Sequence, residues 1–341
     1  MSSRQPAASR TFERAASLWI GAAVAVVALA VSAVLIVRPE WGAAQVPPPE
    51  GTPVYGPVSP ATGDPVIAAA GDIACDPADP SFAGGTGTAT ACRMRATADL
   101  LASINPTAVL SLGDSQYGAD LAAFESSYGP SWGRLKERTR PVPGNHEYDD
   151  PGAGGYFDYF GAAAGDPAKG YYSFDLGSWH LVALNSNCKA VGGCHEGSPQ
   201  ERWLRADLQA NKRLCTLAYW HQPRWSSGSE HGSDPTYGAF WDALYEAGAE
   251  VVLNGHDHNY ERFGRQTPDG EIDTRKGIRQ FVVGTGGASL RDLAKVQPNS
   301  VTRNTETYGV LMLQLHPADF DWTFVPEAGR TYHDRGTGQC H

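Results

Sequence analysis

The stretch Pro65-Val66-Ile67-Ala68-Ala69-Ala70-Gly71-Asp72 decides how the chain is read. A short apolar run that stops at Gly-Asp predicts a buried strand delivering a carboxylate at its C-terminal end. The same device returns downstream. Thr107 to Leu112 is a second apolar run, and it also stops at Gly-Asp, here Gly113-Asp114. Thr139 to Val142 leads into Gly144-Asn145-His146-Glu147, Leu214 to Trp220 ends at His221, and Glu250 to Leu253 precedes Gly255-His256-Asp257-His258. Ligands of α/β proteins gather beyond the carboxyl ends of strands, so runs far apart in sequence can present these side chains to one point.

Between these runs the pattern is helical. Cys92 to Ile104 places Met94, Ala98, Leu101 and Ile104 near one face, and Leu121 to Tyr128 and Asp234 to Ala247 are further helical stretches. Ser198-Pro199-Gln200-Glu201 predicts a helix start, with Ser198 as cap, Pro199 in the first turn and Glu201 closing a capping box. Tyr171 to Leu184 reads as a hairpin turning at Asp175-Leu176-Gly177-Ser178. Phe281 to Val283, Tyr308 to Leu315 and Phe320 to Val325 are late strands with no long helices between them. Early strand–helix alternation followed by late strands predicts an α/β (α+β) fold, a four-layer αββα sandwich of two mixed sheets.

Outward from this domain, expected over residues 65–341, the chain changes character. Residues 15–37 are almost wholly apolar or small, longer than a usual signal-peptide core and long enough to span a membrane. Arg4, Arg10 and Arg14 precede the run, so the positive-inside bias places residues 1–14 in the cytoplasm and the rest outside. Small residues at Gly42-Ala43-Ala44 leave cleavage, and hence secretion, open. Residues 38–64 carry repeated prolines and read as a semi-extended linker.

The formal charge of −10 speaks to solubility, and the absence of a Lys/Arg run argues against a nucleic-acid partner. The six cysteines lie after the apolar segment and read as disulfides of an oxidising compartment. Sequence proximity suggests Cys75–Cys92 and Cys188–Cys194, and elimination then leaves Cys215–Cys340. Other connectivities and buried free thiols remain open at this point.

The polar clusters contain donors for two metal ions: the carboxylates of Asp72 and Asp114, the imidazoles of His221, His256 and His258, the Asn145 amide oxygen and the Tyr117 phenol. If Asp114 bridges, each ion receives four of these. Oxygen donors with a phenolate suit trivalent iron, and imidazoles with an amide oxygen suit a divalent ion such as zinc, iron or manganese. Two such ions would generate a hydroxide near neutral pH and clamp an in-line displacement at phosphorus.

In this order the motifs resemble those of the calcineurin-like metallophosphoesterases, and within them the purple acid phosphatases. Tyr117, three residues after Asp114, matches the tyrosine that binds iron(III) there. Ala74 stands where many other superfamily members carry a histidine two residues after the first aspartate. His256-Asp257-His258-Asn259-Tyr260-Glu261-Arg262 is similar to the extended last motif. The resemblance covers about Val66 to Tyr332. It implies that Asp72, Asp114, Tyr117 and His258 hold iron(III), that Asp114, Asn145, His221 and His256 hold the divalent ion, and that His146 contacts phosphate and serves the leaving oxygen. His231 stands about where the family places a second substrate-contacting histidine. Glu230 departs from the histidine many members have before it. The small β-domain of large members is absent from the resemblance, so their dimer contacts are not carried over.

The expected function is therefore hydrolysis of small-molecule phosphate esters outside the membrane, an acid phosphomonoesterase using a metal-bridging hydroxide. A nucleotidase or phosphodiesterase on the same core is an alternative, since the metals set the reaction and the rim sets the substrate. An inactive phosphatase-fold surface module is the alternative from another class. His180, His195, His316, His333 and His341 read as structural or surface histidines, and Trp220, Trp225 and Trp241 as packing.

Overall fold

The computed structural model describes residues 63–341. The tail 1–14, the apolar segment 15–37 and all but the end of the linker 38–64 lie outside the described residues. No helix among the described residues is long and apolar enough to cross a membrane.

The elements run β1 (Val66–Ala70), α1 (Met94–Ile104), β2 (Ala108–Ser111), α2 (Leu121–Ala123), β3 (Thr139–Pro141), α3 (Gly154–Phe160), β4 (Tyr172–Leu176), β5 (Trp179–Ala183), α4 (Pro199–Ala210), β6 (Cys215–Tyr219), α5 (Gly238–Glu246), β7 (Val251–Asn254), β8 (Tyr260–Phe263), β9 (Arg279–Val283), β10 (Ser300–Asn304), β11 (Gly309–Leu315), β12 (Asp319–Pro326) and β13 (Arg335–Gln339). They form two mixed sheets, ordered β13-β12-β11-β1-β2-β3 and β10-β8-β9-β7-β6-β5-β4. β1, β2 and β3 are parallel, as are β5, β6, β7 and β9, so their carboxyl ends emerge in common directions within each sheet.

Residue alternation builds the layers. Leu181, Ala183, Leu217, Tyr219, Val251 and Leu253 join one core with Leu311, Leu313, Phe320, Trp322 and Phe324 of the first sheet. The interleaved Val182, Leu184, Ala218, Trp220 and Val252 face the other way, into a second core with Leu204 and Leu208 of α4 and Phe240, Trp241 and Leu244 of α5. Trp179 meets Phe320 edge-on at 5.5 Å and Phe281 meets Trp322 at 5.7 Å, locking sheet to sheet. β1 does not alternate because it is central and covered on both faces. The fold is thus an α/β sandwich of two mixed sheets with helices.

Local chemistry explains the differences from expectation. At α4, Ser198 caps by accepting from Glu201 N, but the Glu201 carboxylate reaches Gly197 N at 2.9 Å rather than Ser198 N, which is already given to His195 O. Only half of the capping box forms. The stretch predicted from Leu121 to Tyr128 opens into a π turn over Phe124–Tyr128. α5 starts four residues late, after a 3-10 turn Pro235–Tyr237 capped by Asp234. The cysteines pair as Cys75–Cys92, Cys188–Cys194 and Cys215–Cys340.

His180 sits between two carboxylates, Nδ1 2.9 Å from Asp175 and Nε2 2.8 Å from Asp207. Burial opposes its charge, yet the hydrogen bonds to Asp207 and Asp175 carry its pKa above the ordinary histidine value. The sign follows: the stabilisation is fully present below the unfolded value and is lost as pH rises through the folded one. The Tm difference between the wild type and His180→Gln is expected to be largest at a pH below the ordinary histidine value of about 6.5 and to shrink as the pH rises above it. A difference independent of pH would show that His180 is uncharged in the fold.

Candidate metal centre

Hydrogen bonds continue past the strand ends and draw the two sheets together at one point. Gly71 N donates to Val283 O, Gly286 N to Gly71 O, Asp72 N to Gly113 O, and Gly255 N to His221 O. Asp72, Asp114 and His256 all lie in the left-handed region, with φ of 59°, 46° and 70°. That conformation is costly for residues with side chains and marks a backbone held by its surroundings. Gly113 packs under the site, where an added Cβ would lie 2.6 Å from His221 Nδ1.

The side chains converge in two adjoining groups. In the first, Asp72 Oδ1 lies 3.2 Å from His258 Nε2 and 3.2 Å from the Tyr117 hydroxyl, which itself lies 2.9 Å from His258 Nε2. In the second, Asp114, His221 and His256 offer ligand atoms all within 4.8 Å of one another, with His221 Nε2 3.1 Å from Asp114 Oδ2. Asp72, Asp114, His221 and His258 are buried. His146 donates its backbone N–H to Asp114 Oδ1 at 3.0 Å, and its ring lies 4.6 Å from the Tyr117 ring. His231 stacks on His256 at 3.9 Å. The structure therefore brings together eight of the nine residues singled out from sequence, and the ninth, Asn145, stands next to His146 in the turn that reaches Asp114.

Hydrogen bonding shows what this cluster lacks. His221 Nδ1 lies 2.9 Å from Leu112 O and His258 Nδ1 2.6 Å from Ser289 O. A carbonyl only accepts, so each Nδ1 carries a proton, and in the neutral rings each Nε2 lone pair points inward. Tyr117 then has one proton for two acceptors. His256 Nδ1 faces His221 Nε2 at 3.2 Å, and Asn145 Oδ1 is buried with no donor. With the imidazoles neutral, acceptors outnumber protons, which is the donor set a cation satisfies. Burial would lower the His221 pKa, but Asp114 carries it up to about 9, while burial, His221 and His231 drive His256 down to about 2. Burial and the Asp72 and Asp114 carboxylates hold the Tyr117 phenol well above its ordinary value, and a bound cation would reverse that.

One supporting residue carried no role in the sequence reading. The buried Glu147 carboxylate accepts from Asp114 N at 2.9 Å, Gly144 N at 2.6 Å and Ser115 N at 2.6 Å. It ties the Asp114 turn to the Asn145-His146 turn. Burial and the neighbouring Asp114 push its pKa up to about 8. The available signal was a carboxylate three residues after Gly144 in a segment without helical period. Asp257 does a similar job, accepting from Ser226 Oγ and, at 3.1 Å, from Gly232 N, and so holding the loop that carries His231.

The sequence model of the calcineurin-like phosphoesterases matches residues 66–260, which hold all the candidate ligands. The chain belongs to this family. This phosphoesterase is 32% identical over 174 residues to purple acid phosphatase 15 of Arabidopsis thaliana, covering 46% of this chain and 32% of that protein. It is 28% identical to purple acid phosphatase 23 of the same plant over 50% of this chain and 44% of that one. Acid phosphatase type 7 of Homo sapiens is 30% identical over 46% of this chain and 40% of its own length. The matches thus span less than half the length of these curated relatives.

Among solved structures, the yellow lupin (Lupinus luteus) purple acid phosphatase PPD1 superposes with a TM-score of 0.63 at 17% identity, over 81% of this chain and 54% of that one. GAP50, the anchor in the inner membrane complex of Plasmodium, gives 0.55 at 14% identity, over 82% and 89%. At these identities the likeness concerns the fold of the phosphoesterase alone.

Proposed function

We propose that this phosphoesterase is a dinuclear-metal hydrolase of phosphate monoesters, of the purple acid phosphatase kind, acting outside the membrane. The observation that carries the reading is the acceptor-rich cluster of Asp72, Asp114, Tyr117, His221, His256 and His258 beside the unpartnered Asn145 Oδ1. In this reading Asp72, Tyr117 and His258 would hold iron(III), Asn145, His221 and His256 would hold a divalent ion (zinc, iron or manganese), and Asp114 would serve both. Bound there, the ions supply a nucleophile at moderate pH and neutralise charge developing at phosphorus.

The protein's own groups do the rest. In this reading His146, with its side chain 36% exposed, Nδ1 2.8 Å from Asp149 and Nε2 4.0 Å from Asp114, would donate a proton to the leaving oxygen. His231 flanks His256 and would contact the phosphoryl oxygens. The three disulfides fit an oxidising compartment, whether the chain is anchored by residues 15–37 or released.

The test is metal content and the visible spectrum of the purified chain, with turnover of p-nitrophenyl phosphate. Two metals including iron, a broad violet band and hydrolysis are expected. Tyr117→Phe is expected to abolish the band while retaining iron and part of the activity. Two metals without colour would remove iron(III)–phenolate ligation. No metal after reconstitution with iron, zinc and manganese would sink the dinuclear reading.

A further inference from the structure

Arg291 lies outside every motif considered so far, yet the fold delivers it to the rim of the site. Its backbone N–H donates to His258 O at 2.9 Å, and Ala288 N, three residues earlier, donates to Asp72 O at 2.9 Å. The segment is thereby stitched to two residues of the first group of the cluster. Across from it, Ser229 N donates to Asp292 O and Ala294 N to Ser227 O, so the loop carrying His231 is zipped to the same segment. Arg291 Nη1 ends 3.3 Å from His231 Nε2 and 2.9 Å from Glu230 Oε2. A guanidinium only donates, so His231 accepts at Nε2. The cation is therefore held beside the imidazole that stacks on His256.

We propose that Arg291 is a specificity-determining residue that grips a second anionic group of the substrate, adjacent to the phosphoryl group being transferred, with Glu230 as its resting counterion. The proposal rests on the phosphoesterase reading above. A simple monoester has one dianionic group, which the metal cluster and His146 occupy. Arg291 stands beside His231, one imidazole out from His256, where a neighbouring phosphate of the same substrate would meet it. Phosphoanhydrides and vicinally phosphorylated esters have that shape. The planar fork of a guanidinium matches phosphate oxygens in pairs, and the pair with Glu230 is easily exchanged. Glu230 is 53% exposed, and an exposed ion pair contributes little. A doubly charged phosphate therefore displaces the carboxylate at small cost.

The test compares pyrophosphate with p-nitrophenyl phosphate on the full-length, metal-loaded chain. The ratio of their kcat/KM values is expected to fall about tenfold in Arg291→Gln, the loss of one charge-assisted contact. Arg291→Lys should lie between, and Glu230→Gln should raise the ratio. A merely structural Arg291 would lower both substrates alike, and an unchanged ratio overturns the proposal. A Glu230→Gln ratio at or below that of the wild type overturns the counterion role. If the wild type hydrolyses neither substrate, the proposed function fails separately. Calorimetric titration with inorganic pyrophosphate and inorganic phosphate then decides the subsite: a preference for pyrophosphate that Arg291→Gln erases supports it, and a preference unaffected by the substitution, or none in the wild type, overturns it.

Discussion

Asp114→Asn is expected to strip the centre of metal and to lower kcat/KM for p-nitrophenyl phosphate by at least about a thousandfold, the scale on which charge stabilisation at a reacting centre is lost. Asp114 is 2% exposed and its two oxygens divide their partners, Oδ1 taking His146 N and Oδ2 facing His221 Nε2. No other carboxylate in the second group replaces it, since Asp72 faces Tyr117 and His258. An amide keeps the shape but removes the charge that two cations would share, and its NH2 would confront donors if turned the wrong way. Metal content by elemental analysis, with circular dichroism to establish folding, checks the outcome. A folded, metal-loaded Asp114→Asn enzyme with near-normal turnover would reject the bridging role.

Glu147→Gln is expected to weaken both stability and metal retention. The carboxylate accepts three backbone N–H groups, two on Oε2 and one on Oε1. A glutamine offers one oxygen, so its NH2 must face at least one buried donor. Leaving such groups unpaired costs on the order of 3 kcal/mol. For a domain of this size that corresponds to a fall in Tm of about 6–12 °C. A general loss of stability would leave metal affinity unchanged at a temperature where the variant is folded. Loosening of the tie between the Asp114 and Asn145-His146 turns would instead lower metal affinity and kcat together. Tm and affinity both equal to the wild type would show that Glu147 is dispensable.

The parts of the site that were legible in the sequence are those where a strand's own pattern announces its end. β1, β2, β6 and β7 are short buried runs, and a Gly-Asp or a histidine directly after such a run has few other uses. Tyr117 was legible as a donor beside Asp114 and its ligand role through the family resemblance, but nothing in its neighbours shows that its hydroxyl meets Asp72 and His258. Three strands escaped notice for a related reason. β13 is Arg-Gly-Thr-Gly-Gln, with no apolar period of its own. Gly336 pairs with Trp322 and Gly338 with Phe320, and an added Cβ would meet those rings. β8 carries the buried Glu261 and an Arg262 paired with Asp334, and β10 is short and half-exposed at the sheet edge. β8 and β10 are made by pairing with segments well separated in the chain, and β13 by pairing with β12, whose rings cover its glycines.

The sequence by itself pointed to the class of chemistry, through donor types placed where strands must stop, and to three cysteine pairs, through their number and spacing. Burial and periodicity are local consequences of side-chain polarity, so they can be read one segment at a time. Only the tertiary structure decided which donors share a point, that Leu112 O and Ser289 O turn the imidazoles inward, that Glu147 ties two turns, and that Arg291 reaches His231. These are contacts between backbone groups and side chains far apart in sequence, set by how two sheets pack, and no local pattern records them.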